Sequence, residues 1–546
     1  MTGAIATVPR VATARPAAIA LTRLLPWLSG AAVLAVGAFA IDGQPVGALR
    51  DDAMYVLLAK SIATGHGYRW LNLPGTPAAI HFPPGYPAFL ALLWWIAPAF
   101  PASVVLFKLA NTVLAASSAI VVARFARARF AMSEWTAQGV ALAALLPIPM
   151  LSLATQVLSE PLFLALVVAT LFHAECAIAQ IRIHRPPTTN YRPPSDHQPR
   201  SLKDAIVLGL LAGAATLVRT NGVAVVGAIV ILYCARRRPR EGAAFVASVV
   251  VLLLPWQLWS VVHANTLPAP MRGNYESYLA LVGDAVRTQG IGILGAVAMR
   301  TSHDIALILQ YTVAPVAAAP IRIAALVALG ALAVAGAPVL WRRAPVTALF
   351  LALYSVIVLL WPYTPGRFVW CIWPLLLLLP ILGALRVAAS SPQLPPLRLT
   401  RAATLAASLA LAIGFIVYNV RGYRGGAWTS GAYATRLQPL LVEIVAHTPP
   451  RAVLATESEG TVYLYTGRTT VPLGSYSAND YLRPRTAAQS AAGIATVIGF
   501  YHPQAVVVST RFLRVAASEL VTRQPPLLAV ADSFPGGGLV LVPVQR

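Results

Sequence analysis

Apolar residues collect in long blocks along the chain, separated by short stretches where arginine, proline and glycine gather. Blocks of this length match membrane-spanning helices, which need about 20 predominantly apolar residues. They fall near residues 24–41, 103–123, 135–153, 159–180, 204–218, 221–235, 243–262, 321–340, 345–361, 369–387 and 402–418. Basic segments at 1–23, 124–129, 182–203, 236–240, 341–343 and 386–401 mark the cytoplasmic face by the bias of positive charge toward that side. Parity then predicts about eleven crossings, with the amino terminus cytoplasmic and the carboxyl terminus outside. Two further apolar stretches break that parity if they cross. Gly85–Ala97 is short, follows Pro83-Pro84 and carries Trp94-Trp95 near its end, so it reads as an interfacial or re-entrant helix. Residues 303–319 are read as a second interfacial segment, and residues 42–102 become one external loop.

Beyond residue 420 the pattern changes. Short apolar runs such as RAVLAT, QAVVVST and GGLVLVPV alternate with helical stretches such as ATRLQPLLVEIVAH, which predicts a small α/β domain over 421–546 on the external face. Glu457 and Glu459 follow a predicted strand there, which suits a solvated turn more than a binding role. The insertion within 181–203 is rich in proline and polar residues and reads as a disordered cytoplasmic loop. At the amino terminus, Arg10, Arg15 and Arg23 precede the first apolar run. Ala38-Phe39-Ala40 mimics a signal-peptidase site, but the length of the run and the many spans after it predict an uncleaved anchor.

Composition sharpens this reading. The chain is 58% hydrophobic and 11% charged, which sets it apart from soluble globular proteins. Its formal net charge of +23 comes from arginines between apolar runs, so membrane topology accounts for the basicity and nucleic acid is not a predicted partner. Cys176, Cys234 and Cys371 sit in or beside apolar segments without metal spacing, which argues against a disulfide framework and a cysteine zinc site.

With only 18 acidic residues in 546, each acid near the membrane surface needs a reason. Asp51 and Asp52 open the run DDAMYVLLAKSIATGHGY, where Asp51, Tyr55 and Leu58 recur at helical spacing. This predicts an amphipathic helix lying on the membrane with a carboxylate turned toward a cavity. The structural alternative is a solvated first turn favoured by the helix dipole. Other unusual groups fall on the same predicted face: the segment His81 to Pro87, the helix start Ser159-Glu160-Pro161, the turn Arg219-Thr220-Asn221-Gly222, and Pro362 to Phe368 with Arg367. Ser159 and Pro161 alone make a good helix start. Arg219 and Arg367 lie where positive charge is disfavoured, which argues against plain interface anchors.

Together and in order, these segments resemble the GT-C superfamily of integral membrane glycosyltransferases, in the branch of the protein O-mannosyltransferases and the aminoarabinose (lipid A) transferase. The acidic motif of that branch is matched by Asp51, Asp52, Ala53 and Tyr55, and its Pro-Pro element by Pro83, Pro84, Gly85 and Tyr86. The acid-Pro helix start is matched by Glu160 and Pro161, the Arg-x-x-Gly turn by Arg219 and Gly222, and the last element by Arg367, Phe368 and Pro374. The resemblance covers residues 24–420. It departs at His81-Phe82, where lipid-A-modifying members carry Lys or Glu, so that substrate is not implied. The Asp-x-Asp and tryptophan-rich motifs of the oligosaccharyltransferase branch are not visible.

What the resemblance implies is a polytopic α-helical membrane protein that moves a sugar from a polyprenyl-phosphate donor to an extracytoplasmic hydroxyl acceptor, with inversion. Asp51 is then the general base and Asp52 its support. Arg367, then Arg219, stabilise the lipid-phosphate leaving group. Tyr55, His81, Tyr86 and Glu160 contact acceptor or sugar. Arginine does for a monophosphate what a metal does for a diphosphate, so no divalent ion is expected to be required; zinc on His81 and an acid is the alternative. The competing class is a transporter or lipid flippase, which predicts matched broken helices in two repeated halves; the acidic first loop has no counterpart in the second half. A structural protein that binds a partner through its external domain would place the unusual residues after position 420.

Overall fold

A computed structural model describes residues 24–43, 45–183, 198–389, 395–426, 431–474, 485–534 and 538–544. The amino-terminal segment 1–23 and the centre of the proline-rich insertion, 184–197, lie outside the described residues. Among the described helices, six are long and apolar enough to cross a membrane: those within 103–130, 160–177, 239–262, 292–313, 319–343 and 398–424. A seventh candidate is a broken span. Glu134–Leu145 and Ile148–Thr155 meet at a bend of 68°, where Pro147 interrupts the expected helix 135–153. Five shorter apolar helices complete the bundle, among them Gly85–Ile96, which is too short to cross, as its flanking prolines indicated.

Residues 303–319 do not form the segment expected of them; the helix there starts at Gly292 and ends at Val313. It is one of the six helices long and apolar enough to cross a membrane. Arg300 donates to the Pro362 carbonyl, beside Trp361 and Tyr363 of the cavity described below. The next helix, Ala319–Arg343, delivers the Arg343 carbonyl to Arg129, at the basic end of the Ser103–Phe130 helix.

Helix contacts within the bundle depend on small residues. Ala319–Arg343 and Trp373–Ala389 approach until a Cβ on Gly336 or Gly383 would overlap the Leu379 or Leu332 carbonyl. Without a hydrophobic driving force between helices in lipid, such close packing is what holds a pair together.

The Asp51–Ala63 helix does not lie on the membrane as its spacing suggested. Nearly all of it is buried, including Met54, Val56, Leu57 and Ala59, because the Gly85–Ile96 helix covers one side and the carboxyl-terminal domain another. That domain begins at Gly431, beyond a last long helix, Pro395–Arg424. Its sheet comprises β1 Val453–Thr456, β2 Thr469–Pro472, β3 Ala505–Val508, β4 Leu528–Phe534 and β5 Gly538–Pro543, in the order β2-β1-β3-β5-β4. β1 is parallel to β2 and β3, whereas β5 runs antiparallel to β3 and β4. The first loop docks directly on this edge: Thr470 N–H donates to the Asn72 carbonyl at 2.8 Å. Neither acid after β1 is a solvated turn. Glu457 accepts from the backbone of Ser509 and Thr510, and Glu459 is 1% exposed.

Candidate active site

Three helix starts and one interhelix turn bring the candidate residues together. Asp51 opens its helix, where a carboxylate complements the dipole. Glu160 is the first residue of Glu160–Ile183. Arg219 follows the Gln198–Val218 helix in extended conformation, and Arg367 sits on the short helix Gly366–Cys371. Gly222 permits the tight turn after Arg219, since a Cβ there would fall within 2.6 Å of the Thr216 nitrogen.

Arg367 bridges the two acids. Its Nη1 donates to Asp51 Oδ2 and its Nε to Glu160 Oε1, each at 2.7 Å. Arg219 Nη1 lies 2.8 Å from the same Glu160 oxygen and donates to Ser159 Oγ at 2.9 Å, while its guanidinium stacks over Phe368 at 5.1 Å. Ser159 Oγ in turn meets Tyr55 OH at 3.2 Å. Asp51 Oδ1 has no hydrogen-bond partner among the described residues. Asp51, Tyr55, Arg219 and Arg367 border a cavity of about 250 Å³, lined also by Arg50, His81, Tyr278, Trp361 and Tyr363.

The remaining expected residues take other places. Asp52 is buried and turned away from the cavity; it accepts the N–H groups of Gly47 at 2.7 Å and Leu49 at 3.3 Å. Burial pushes its carboxyl above the usual range, partly offset by those donors. Asp52 therefore ties the loop before the helix and does not line the cavity beside Asp51. Glu160 is 1% exposed and stands behind the arginines, so it holds two cations and does not face an acceptor. Tyr86 is fully buried, accepts from Asn111 Nδ2 at 2.9 Å and braces the Tyr55 ring edge-on, behind the cavity wall. Tyr55 and His81 do line it. His81 Nδ1 lies 2.6 Å from the Glu276 carbonyl, which can only accept; Nδ1 carries the proton and Nε2 is an acceptor.

Sequence reasoning passed over Arg50, Tyr278, Trp361 and Tyr363. Tyr363 lay inside a segment already singled out, but nothing in the spacing separated its ring from packing aromatics. Tyr278 belongs to a helix, Tyr278–Gln289, that reaches the site by docking its entry on His81.

Two guanidinium groups neutralise the acids of this site, Arg367 through one oxygen each of Asp51 and Glu160 and Arg219 through the same Glu160 oxygen. A cluster with metal-ligand chemistry does occur in the carboxyl-terminal domain, at Glu443, His447 and Asp532. His447 Nδ1 lies 3.0 Å from Glu443 and Nε2 lies 4.0 Å from Asp532, and one ligand atom from each of the three residues lies within 4.8 Å of the others.

No protein-family model matches the chain, and no curated protein matches it. Solved structures do. ArnT from Cupriavidus metallidurans, bound to undecaprenyl phosphate, aligns with a TM-score of 0.51 and 14% identity, over 96% of this chain and 99% of that one. The Archaeoglobus fulgidus oligosaccharyltransferase tethered with an acceptor peptide aligns at 0.53 and 12%, over 96% and 74%. The same organism's AglB, in complex with an inhibitory peptide and a dolichol-phosphate, aligns at 0.51 and 12%, over 88% and 69%. The chain has the GT-C fold.

In this chain the loops that carry the candidate residues fold inward on one another, and His81 reports that closure. Burial pulls its pKa from 6.5 down to about 4. The sign follows directly. Below pH 6.5 the unfolded chain takes up a proton that the folded one refuses, so stability is full above 6.5 and declines toward pH 4. The thermal midpoint should fall across that window, and His81→Gln should flatten the decline. An unchanged pH dependence in the variant would refute a neutral, buried imidazole.

Proposed function

We propose that this protein is a membrane glycosyltransferase that moves a sugar from a polyprenyl-phosphate donor to a hydroxyl acceptor on the extracytoplasmic side of a bacterial inner or plasma membrane. The observation that carries this reading is the Arg367 bridge, which puts a carboxylate and a pair of guanidinium groups on one small cavity. The solved structures of the same fold bound to undecaprenyl phosphate and dolichol-phosphate support a lipid-phosphate donor.

The acceptor oxygen attacks the anomeric carbon as the bond from that carbon to the phosphate oxygen breaks. The bonding pair leaves with the phosphate, and the acceptor proton passes to Asp51, inverting the anomeric centre. A hydroxyl is a weak nucleophile at neutral pH, so removal of its proton during attack matters. Arg367 and Arg219 meet the charge that grows on the phosphate, with Glu160 holding them in place. Tyr55 and the aromatic wall bind sugar or acceptor, and His81 Nε2 accepts from a hydroxyl. No metal takes part in this scheme. The amino terminus is cytoplasmic and the carboxyl-terminal domain external.

The test uses membranes with and without the protein, supplied with radiolabelled polyprenyl-phosphate hexoses and pentoses. Label should move from the carrier into an acceptor fraction only where the protein is present. If label stays on the carrier for every sugar in membranes that retain their natural acceptors, the reading fails.

A further inference from the structure

Asp51 is entered from a backbone conformation that side chains disfavour. Arg50 has φ 61° and ψ −54°, outside the regions open to L residues without cost. Such a residue persists only when its surroundings over-determine it, and the surroundings here belong to the carboxyl-terminal domain. Arg50 Nη2 donates to Glu459 Oε1 at 2.6 Å, and Tyr275 OH donates to the same oxygen at 3.0 Å. Glu459 is the first residue of the helix Glu459–Thr466, and a carboxylate is almost never so buried unless it is paired.

The contact around this pair is tight. A Cβ on Gly47 would overlap Thr461 Oγ1, and one on Gly460 would come within 2.7 Å of Met54 Sδ. Val46 N–H donates to Tyr465 OH at 3.2 Å. Arg50 also lines the cavity, and the ion pair directs its guanidinium toward the domain.

We infer that the carboxyl-terminal domain completes the catalytic pocket, with Glu459 as a positioning residue that fixes the Asp51 carboxylate by clamping Arg50. The inference rests on Asp51 as the base, and it gives the domain a part in the chemistry that does not depend on what the acceptor is. A base must hold its geometry closely, since a misplacement of about 1 Å costs on the order of a hundredfold in rate.

The experiment uses the full chain in detergent or nanodiscs. Glu459→Gln keeps the size and an acceptor for Tyr275 but loses the charge that holds Arg50. It should lower kcat about tenfold or more, while binding of undecaprenyl phosphate, used as the probe, stays within about twofold. Hydrogen exchange at residues 50–55 should rise while the five-stranded sheet keeps its protection. Arg50→Ala should show the same loss, and the double variant should fall no further than the weaker single one. A wild-type kcat in Glu459→Gln overturns the inference, as do losses that multiply in the double variant or a sheet that itself loses protection. Asp51→Asn measured alongside separates the two ideas. Activity in Asp51→Asn removes the base assignment, whereas activity in Glu459→Gln with Asp51→Asn inactive removes the clamp alone.

Discussion

Asp51→Asn lowers sugar transfer by roughly two to four orders of magnitude, the range a positioned base contributes, while the protein still folds and still binds lipid phosphate. Asparagine keeps the shape of aspartate and still offers Arg367 an oxygen in place of Oδ2, so the bridge to Glu160 survives in reduced form. What it cannot do is take a proton from a hydroxyl. The loss should therefore fall on kcat, with KM for the donor unchanged or lowered, because one negative charge has left the cavity that the anionic donor enters. Initial rates at saturating and limiting donor, at equal expression, make the measurement; full activity would sink the base assignment. Asp52→Asn should behave differently. Asp52 works on the Gly47 and Leu49 amides, so its loss should loosen that loop and lower thermal stability before it affects a proton transfer.

That contrast marks where the sequence was legible and where it was not. Long apolar blocks, prolines and arginine clusters report burial in lipid and turns at its surface, and these are local properties. They located most helices, the short Gly85–Ile96 helix, the Arg219 to Gly222 turn and the change of character near residue 420. Asp51, Glu160, Arg219 and Arg367 could be singled out because ionisable groups near membrane depth are rare. Direction could not be read. Asp51 and Asp52 are neighbours, but about 100° per residue on a helix sends one to the cavity and the other to the loop behind it. Tyr86 and Glu160 carry the right chemistry for contact, yet packing put both behind the wall. Glu459 suits a solvated turn in the sequence for the complementary reason. Its partners, Arg50 and Tyr275, lie 409 and 184 residues away in sequence, and no local pattern links them. The 292–313 helix shows the same limit from another side, since the 303–319 stretch gave neither its start nor its end.

Arg367→Lys is the other change expected to have a large effect, although it conserves charge. The guanidinium reaches two carboxylates at once because Nε and Nη1 point along different edges of a rigid plane, at 2.7 Å to Glu160 and 2.7 Å to Asp51. A lysine ammonium is a single point on a flexible stem. It can satisfy one acid but not hold both in register while also offering donors to phosphate. Losing one preorganised donor to a developing oxyanion costs about 10²–10³ in rate, and that is the loss expected here. Arg219→Lys should cost less. Arg219 shares Glu160 with Arg367, but its second contact is the neutral Ser159 hydroxyl, so no second acid is released when it goes. The two variants should also differ in the structure they leave. In Arg367→Lys, Asp51 loses its fixed partner, so transfer should fall more steeply than undecaprenyl-phosphate binding does. In Arg219→Lys the two should fall together, because Asp51 keeps its anchor and only the phosphate side is weakened. Equal losses of rate and binding in both variants would mean that Arg367 serves the phosphate alone, and that the bridge to Asp51 has no part in catalysis.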